Sequence, residues 1–416
     1  MSEILSHYKT NLINNYFYFW ALVLPITSVL IIPSIQGTTP AYVLALGAII
    51  LFFFTIKIDK NTYIKDLIIF LYIFILINAL GQLFLLFNIE EINLLGLVLV
   101  DPKDESLLLR SSLFTQSIYL LAGLSTFFFV KNFYNLSWDR YIIIGAIILA
   151  TYGIYEWFYF LIFQEKGDFL SNRTFDEGFS GSLFQTLQLG PVLVQRLKSL
   201  TGEPSMYAFT VLPYWIYTIH TQRKYISFFL LITLILTTST TAYIGIIMYM
   251  FLRVFYTKKI NWKNVPIYIL SLIPLIFIIG VNNIKYYFNT LILAKLLQQN
   301  QSGADRFSYF SYHFDYFVQL PIFSKLFGLG FGTIRSTDMF TTILVNNGIV
   351  GLVLLTLLFL YPIYKLKNNF RNIGLKISLI VLFISMMVSI PEFAYLSMWL
   401  FLGIAYNEIK IKQIIK

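Results

Sequence analysis

Apolar stretches about as long as a membrane-spanning helix recur along almost the whole chain, separated by short polar segments. An α-helix needs roughly 20 such residues to cross the hydrocarbon core of a bilayer. Only 12% of the 416 residues are charged, about half the roughly 25% that soluble domains contain. The 41 Phe and 29 Tyr residues suit lipid-facing and interfacial positions. We therefore expect an all-α polytopic membrane protein.

Spacing of the apolar stretches predicts about 12 membrane-spanning helices in one membrane domain that covers 1–416. The stretch 226–252 is too long for one span and short for two. We interpret it as a hairpin of two short spans, because Ser and Thr side chains in its TTSTT sequence can satisfy backbone groups freed at a turn. The other predicted spans are 16–32, 41–56, 67–87, 113–130, 141–163, 204–219, 265–281, 342–364, 377–390 and 393–405.

The basic residues predict the orientation, since Lys and Arg concentrate in short cytoplasmic loops. In a 12-span arrangement the basic loops 57–65, 131–140, 253–263 and 365–376 share one side with both termini, which are therefore predicted to be cytoplasmic. A single span at 226–252 would instead place the loop 365–376 outside. No small-residue cleavage site follows the first apolar stretch, so we expect a span there and not a signal peptide.

Scarce residue types exclude several kinds of site. The chain has no cysteine, which excludes disulfides and thiolate catalysis. Its histidines, His7, His220 and His313, are far apart in sequence, so no His-cluster metal site is expected. The net charge of +10 follows from basic cytoplasmic loops and does not require nucleic acid as a partner. No P-loop motif is present, so we do not expect ATP to drive this protein.

Two long polar segments interrupt the apolar pattern, and we call them the first island (164–203) and the second island (282–341). Both are predicted to be extracytoplasmic. We expect them to face each other and to form a site for an anionic, phosphate-bearing substrate, because guanidinium groups bind phosphate in a bidentate manner. The second island carries the basic residues Lys285, Lys295, Arg306, Lys325 and Arg335.

The first island ends at the predicted start of a span. Pro204 suits the first helical turn, where its missing N–H costs nothing. Glu203 complements the helix dipole there, and it has either a capping role or a role in chemistry. Arg196 at the membrane boundary binds either an anionic substrate or lipid headgroups.

In the second island, Arg306 lies in an aromatic segment that is amphipathic if it is helical and would then lie against the membrane surface. The sequence GLGFG at 328–332 follows no strand, so it predicts a tight turn and not a dinucleotide site. Arg335 and Asp338 come just before a predicted span. Among the acids in or near spans, Glu156 is a functional candidate, and Glu392 after Pro391 is expected at a turn.

These segments together resemble the O-antigen polymerase and O-antigen ligase superfamily, the multi-spanning glycosyltransferases of bacterial polysaccharide assembly. The resemblance rests on the sequence RLKSLTGEPSMYAF and, about a hundred residues later, on the run from GADRF to NNGIVG. It covers about 190–355 by motif and the whole chain by topology. The matching residues are Arg196, Gly202, Glu203, Pro204, Gly303, Arg306, Pro321, Gly328, Gly330, Thr337, Asp338, Gly348 and Gly351.

The resemblance implies a fold of the membrane glycosyltransferase type C class in the bacterial inner membrane. It implies that a glycan on undecaprenyl pyrophosphate is transferred, at the periplasmic face, to another lipid-linked repeat unit, which builds O-antigen or capsular polysaccharide. The partners would be the undecaprenyl-pyrophosphate-linked oligosaccharide, membrane lipid and a protein that controls chain length. No nucleotide sugar, metal or other cofactor would be needed.

By the same resemblance, Arg196 and Arg306, with Arg335 as a weaker third, would neutralise the leaving lipid pyrophosphate. A base would deprotonate the acceptor hydroxyl, and Asp338 is the first candidate and Glu203 the second. The ligases carry a His at the position that aligns with Thr337. Its absence here favours a polymerase over a ligase.

Two other classes of protein remain as alternatives. A lipid-linked oligosaccharide flippase would also have 12 spans, but its charges should line a central cavity between repeated halves. Here the charges fall in two unlike islands, and no repeat is visible. A scaffold protein would leave the arginines of the islands unexplained.

Overall fold

The structure, a computed structural model, describes residues 2–33, 35–54, 60–174, 183–189, 192–257 and 301–414. The predicted span 265–281 and the basic residues Lys285 and Lys295 lie outside the described residues. Within the described ranges the chain is mostly α-helical, with a short antiparallel β-hairpin. The elements are α1 (Ser2–Val23), α2 (Pro40–Phe54), α3 (Lys60–Phe87), α4 (Ser111–Phe133), α5 (Trp138–Phe163), β1 (Thr186–Leu189), β2 (Val192–Gln195), α6 (Pro204–His220), α7 (Lys224–Leu236), α8 (Thr240–Thr257), α9 (Gln301–Gln319), α10 (Ile322–Phe327), α11 (Met339–Lys365), α12 (Phe370–Ser389) and α13 (Leu396–Ile414).

Six of the described helices are long and apolar enough to cross a membrane, namely α3, α4, α5, α8, α11 and α12. Two shorter helices, α2 and α7, are also apolar. The chain is therefore a mostly helical membrane protein, as its composition predicts. The stretch 226–252 is divided between two helices, because α7 ends at Leu236 and α8 begins at Thr240, inside the Ser/Thr-rich stretch. That both helices span the membrane as a hairpin stays a prediction.

The first predicted span, 16–32, is only partly helical. Helix α1 ends at Val23, and Pro25 follows, which has no N–H to continue the helical hydrogen bonds. The backbone beyond it finds other partners, since Thr27 N and Ser28 N donate to Leu200 O. Hydropathy predicted the apolar character of this stretch correctly but could not predict that it leaves the helical conformation.

The chain divides into two compact units. Unit 1 comprises Met1–Ala41, Asn135–Ala304 and Lys367–Leu382, and unit 2 comprises Tyr42–Tyr134, Asp305–Leu366 and Phe383–Lys416. The first island belongs to unit 1, and the described part of the second island belongs almost wholly to unit 2. That 1–416 forms a single membrane domain stays a prediction.

Close helix contacts in unit 1 depend on aromatic stacking and on a small residue. Helix α1 packs on α5 through stacked rings of Phe17 and Trp138, whose centroids are 3.8 Å apart. Helix α8 approaches α6 at Gly245, where an added Cβ would lie 2.4 Å from Leu212 Cδ1. Small residues allow such approach between membrane helices, whose association depends on van der Waals packing.

In unit 2, α13 packs against α4 at Gly123, where an added Cβ would lie 2.3 Å from Trp399 Nε1. A buried apolar cluster joins α3, α9, α11 and the loops between them. Its members are Leu85, Ile92, Leu97, Phe317, Leu320, Leu329, Ile334, Leu344 and Val345. This cluster fixes the second island against two of the candidate membrane spans.

Candidate functional site

The β-hairpin of unit 1 places Arg196 beside the break between α7 and α8. Arg196 follows β2 directly, and its backbone N–H continues the hairpin by donating to Gln185 O at 2.9 Å. The next residue, Leu197, donates its N–H to Leu236 O at the end of α7. The chain after β2 is thus held against the C-terminus of α7, and the Arg196 side chain is positioned over the helix break.

The Arg196 guanidinium binds the backbone of that break. Its Nε donates to Thr238 Oγ1 at 3.0 Å and to Thr237 O at 3.3 Å, and its Nη2 donates to Thr238 O at 3.2 Å. Its Nη1 donates to Gln185 Oε1. A broken helix leaves carbonyl groups without intrahelical donors, which is costly where no water reaches them. Arg196 therefore has a structural role in closing the helix break.

Burial and the neighbouring groups have opposite effects on the pKa of Arg196. Burial lowers the pKa of Arg196, and the nearby Glu203 carboxylate and Tyr243 oppose that change. A guanidinium remains charged even so, because its ordinary pKa is above 12. Among the described residues, each terminal nitrogen of Arg196 keeps one N–H that meets no acceptor. These two N–H groups could donate to an anion without breaking the bonds to the helix break.

Glu203 is the N-cap residue of α6 by backbone conformation, and Pro204 follows in the first turn as predicted. The Glu203 side chain makes no capping hydrogen bond to the helix backbone. It instead accepts from the hydroxyl of Ser205 and is half-buried. Its carboxylate therefore lies near Arg196 and is not committed to the helix terminus.

In unit 2, the structure brings Arg306 and Arg335 to the same connection between α12 and α13. Arg306 lies on α9, is exposed, and donates from Nη1 to Ser389 O at 3.3 Å. Arg335 forms an ion pair with Glu392, with Nη2 and Oε2 2.8 Å apart, and its side chain remains 49% exposed. Glu392 lies in the non-helical connection between α12 and α13. Two guanidinium groups far apart in sequence thus converge on the segment 389–392.

The glycine-rich turn before Arg335 closes a second helix break. Helix α11 is interrupted at Gly348, whose φ of 66° places it in the left-handed region. The carbonyls of Val345 and Asn346 accept from the backbone N–H groups of Leu329 and Gly330, each at 2.9 Å. An added Cβ at Gly348 would lie 2.3 Å from Leu326 O. The tight turn predicted at 328–332 is therefore confirmed, and its close backbone contacts require glycine.

An almost wholly apolar cavity lies beside this turn. Its volume is about 410 Å³. A smaller pocket of about 30 Å³ contains Arg335 and Glu392 and shares Phe331 and Phe393 with the larger cavity. The larger cavity is lined by side chains of α3, α4, α11 and α13, among them Phe70, Phe74, Leu120, Leu354, Tyr361 and Trp399. Unit 2 thus combines an apolar cavity with a charged rim, an arrangement that suits an amphiphile with an anionic head.

Asp338 lies at the N-terminus of α11 and is buried. Its carboxylate accepts from Thr341 N at 2.7 Å, from Thr341 Oγ1 at 2.8 Å and from Ser336 Oγ at 3.2 Å. The bond from Thr341 N satisfies one of the free backbone donors at the N-terminus of the helix. Asp338 therefore caps α11, whatever further role it has, and Thr337 beside it donates to Arg306 O at 3.5 Å.

His313, which sequence analysis did not place in a candidate site, extends this network. Its Nδ1 lies 2.6 Å from Tyr309 O and 3.3 Å from Ser336 Oγ, and its Nε2 accepts from Val98 N at 3.2 Å. Nδ1 carries the proton that the carbonyl accepts, and Nε2 is unprotonated because it accepts from Val98 N, so the ring is neutral. Burial lowers the pKa of His313, and the Asp338 carboxylate opposes this. The histidine joins α9 to the start of α11.

Sequence analysis did not predict which side chains pair with Glu156, and these form a second network. This acid of α5 forms an ion pair with Lys198 in the first island, with Oε1 and Nζ 2.7 Å apart. Lys198 also contacts Asp168 at 2.5 Å. An acid in a predicted span requires a partner, and this requirement was the available signal. Among the described residues, no three His, Asp or Glu side chains come together as metal ligands.

Compared with protein-family models, curated proteins and solved structures, the chain has no match. The candidate sites of both units are therefore interpreted from their own geometry, with the sequence resemblance as a separate support.

Proposed function

We propose that this protein is a glycosyltransferase that polymerises undecaprenyl-pyrophosphate-linked oligosaccharide repeat units into O-antigen or capsular polysaccharide. The observation that carries the proposal is the apolar cavity of about 410 Å³ in unit 2 together with the exposed Arg335 at its charged rim. A polyprenyl chain needs an apolar environment, and a pyrophosphate needs nearby cations that donate hydrogen bonds. The sequence resemblance independently points to this class of substrate.

In the proposed reaction, the acceptor hydroxyl oxygen attacks the anomeric carbon of the donor sugar. The new glycosidic bond forms as the bond from that carbon to the pyrophosphate oxygen breaks, and the electron pair leaves with the lipid pyrophosphate. Arg306 and Arg335 stabilise the negative charge that develops there. The sequence resemblance gives Arg196 the same role. The hydroxyl proton passes to Asp338 or to Glu203.

The number of spans, the fold class and the orientation in the membrane belong to the same proposal. The chain would have about 12 membrane-spanning helices of the glycosyltransferase type C class. It would lie in the bacterial inner membrane with both termini in the cytoplasm and both islands in the periplasm. A protein partner that controls chain length belongs to the same proposal.

The first experiment is a gel of lipid-linked and acceptor-linked glycan from cells in which the gene is deleted. The proposal expects single repeat units on the final acceptor and no polymer, with polymer restored by the wild-type gene on a plasmid. Accumulation of long polymer on the lipid carrier would instead identify a ligase. Accumulation of single lipid-linked units on the cytoplasmic face only would identify a flippase, and either result would overturn the proposal.

A further inference from the structure

The apolar cavity of unit 2 contains a buried amide that the proposed reaction does not use. Asn347 of α11 lines this cavity and is only 8% exposed. Among the described residues, its side chain meets no hydrogen-bond partner. Asparagines in membrane helices ordinarily hydrogen-bond to a neighbouring helix, and buried polar atoms are nearly always paired. The Asn347 amide is therefore expected to bind a ligand in the cavity.

Three other side chains that line the cavity carry polar atoms, and they differ from Asn347. Trp399 Nε1 and the Tyr406 hydroxyl already donate to backbone carbonyls, at 2.8 and 3.0 Å respectively. The third, Tyr361, is not buried, since it is 42% exposed. Among these four side chains, Asn347 is thus the buried one whose hydrogen-bond donors are uncommitted.

The break in α11 holds Asn347 at this point of the cavity wall. Gly348, which follows it, has the left-handed conformation that interrupts the helix. Gly351 leaves room for the asparagine, because an added Cβ at Gly351 would lie 2.3 Å from Asn347 Cβ. A larger residue at 351 would displace the amide, so the position of Asn347 depends on both glycines.

The same part of α11 connects Asn347 to the charged rim. The side chain of the preceding residue, Asn346, accepts from Ile334 N and donates to Ile334 O, each at 2.9 Å. Arg335 follows Ile334 in the chain, and Asn346 lines the small pocket that contains Arg335. Phe331 lines both that pocket and the cavity. Asn347 therefore lies at the side of the cavity that adjoins the arginine.

We propose that Asn347 binds the phosphate group that heads a polyprenyl chain in the cavity, by donating a side-chain N–H to a phosphate oxygen. The apolar chain lies against the aromatic and aliphatic lining, and Arg335 meets the more exposed part of the head group. The inference rests on the proposed function for the identity of the lipid. It adds a residue that recognises the head group, and the sequence resemblance gives Asn347 no role.

An amide suits this position better than a second cation. It donates a hydrogen bond to an anionic oxygen, which is stronger than a bond between neutral groups. It does so without the large cost of burying a charge when the cavity holds no anion. Asn347 thus selects the lipid by its head group, whereas the cavity selects it by its apolar chain.

The test titrates the purified full-length protein in detergent with undecaprenyl phosphate and, in parallel, with squalene, an isoprenoid hydrocarbon without a head group. Native mass spectrometry measures the bound lipid. Asn347→Leu removes the amide at nearly the same size and should weaken binding of undecaprenyl phosphate roughly tenfold or more, because the lost bond is to a charged group. Squalene binding should stay unchanged. Asn347→Ala, which removes the amide without a longer side chain, should show the same loss for undecaprenyl phosphate.

Asn372→Leu is the matched control for Asn347→Leu. Asn372 of α12 is also a buried asparagine whose amide meets no partner within the described part of the chain, but it is not among the residues that line the cavity. This variant should bind both lipids as wild type does. Thermal midpoints without added lipid show whether each variant is folded.

Three results of the titrations would overturn the proposal. The first is wild-type affinity of Asn347→Leu for undecaprenyl phosphate. The second is an equal loss of affinity for both lipids, which would give the amide a role in cavity shape only. The third is wild-type binding of phosphatidylglycerol as tight as that of undecaprenyl phosphate, which would indicate a site for ordinary membrane phospholipid.

The glycan gel from deletion cells separates this inference from the proposed function. Polymer that persists without the gene would overturn the polymerase, whereas a selective loss of undecaprenyl phosphate binding in Asn347→Leu would still support the lipid site. Loss of polymer on deletion, combined with unchanged lipid affinity in Asn347→Leu, would overturn the role of Asn347 alone.

Discussion

The two units hold their predicted phosphate-binding arginines in opposite ways. In unit 1, the Arg196 guanidinium donates to backbone carbonyls of Thr237 and Thr238. In unit 2, Arg306 donates one described hydrogen bond and is exposed, and Arg335 pairs with Glu392 while half of its side chain stays exposed. Sequence patterns gave all three residues the same role. The structure separates an arginine with a structural role from two that face outward.

The difference follows from how each unit closes a broken helix. The break between α7 and α8 contains Thr238, a β-branched residue with φ of 48°, which is a strained conformation for such a residue. Side-chain donors from Arg196 close that break. In α11 the break occurs at Gly348, and backbone N–H groups of the glycine turn close it. Where glycine allows the backbone to approach, no arginine is needed to close the break, and Arg306 and Arg335 stay exposed.

The largest effect is expected for Arg196→Ala, which should reduce both the folded stability and polymer formation. The change removes the Arg196 donor from Thr238 O, while Thr237 O keeps the Thr238 hydroxyl as a donor. A buried carbonyl left without a donor costs about 1–3 kcal/mol. Arg196→Lys should restore little, because the planar fork is lost. Thermal unfolding in detergent measures the stability, and a glycan gel measures the polymer.

Arg173→Ala is the matched control for Arg196→Ala. It also removes an arginine of the first island that donates to a backbone carbonyl, Thr27 O, but it lies outside the candidate site. Polymer should persist in this variant. An Arg196→Ala protein with wild-type stability would contradict the structural role.

Arg306→Ala and Arg335→Ala are expected to reduce polymer formation while leaving the fold intact. Loss of one group that stabilises developing charge costs roughly 100-fold or more in rate, whereas exposed substitutions change stability by only about 0.5 kcal/mol. Arg306→Ala and Arg335→Ala should therefore lower the amount of polymer without lowering the thermal midpoint, whereas Arg196→Ala should lower both.

Arg140→Ala provides the control for these two variants, because Arg140 is an exposed arginine of unit 1 far from either island in sequence. It should keep both polymer and stability. Full activity of both Arg306→Ala and Arg335→Ala would remove the basis for a pyrophosphate site in unit 2.

Asp338 offers an intermediate case, since it caps α11 and is also the first candidate for the base. Asn is as good an N-cap residue as Asp, whereas Ala loses roughly 1 kcal/mol of stability. Asp338→Asn should therefore keep the thermal midpoint and lose polymer, while Asp338→Ala should lose both. Persistent polymer in Asp338→Asn would exclude Asp338 as the base and leave Glu203.

The smallest effect is expected for His313→Gln, and it appears only as a pH dependence. Burial lowers the pKa of His313 in the folded protein, so the unfolded chain takes up the proton first as the pH falls. Wild type should lose stability as the pH drops through the ordinary histidine value of about 6.5, and His313→Gln should not show this loss.

Thermal midpoints of wild type and His313→Gln, measured over a pH series, test this prediction. The predicted loss of stability lies on the acidic side of the ordinary histidine pKa. Equal pH profiles of wild type and His313→Gln would show that His313 is not the group responsible.

Much of the fold was predictable from hydropathy and from chain-breaking residues. The apolar stretches predicted the membrane class, the Ser/Thr-rich stretch predicted the break between α7 and α8, and Pro204 marked the start of α6. The glycines at 328–332 predicted a tight turn. These features depend on local chemistry, because the length, polarity and backbone freedom of a segment are properties of the segment itself.

The sequence by itself determined a membrane-embedded helical protein with arginines concentrated in two polar islands. Only the tertiary structure decided that Arg196 serves the helix break, that Arg335 meets Glu392, and that Lys198 lies between two carboxylates. Hydropathy describes the surroundings that each residue prefers, but it does not specify which distant donor meets which acceptor. Those pairings depend on how the helices pack, and packing is a property of the whole chain.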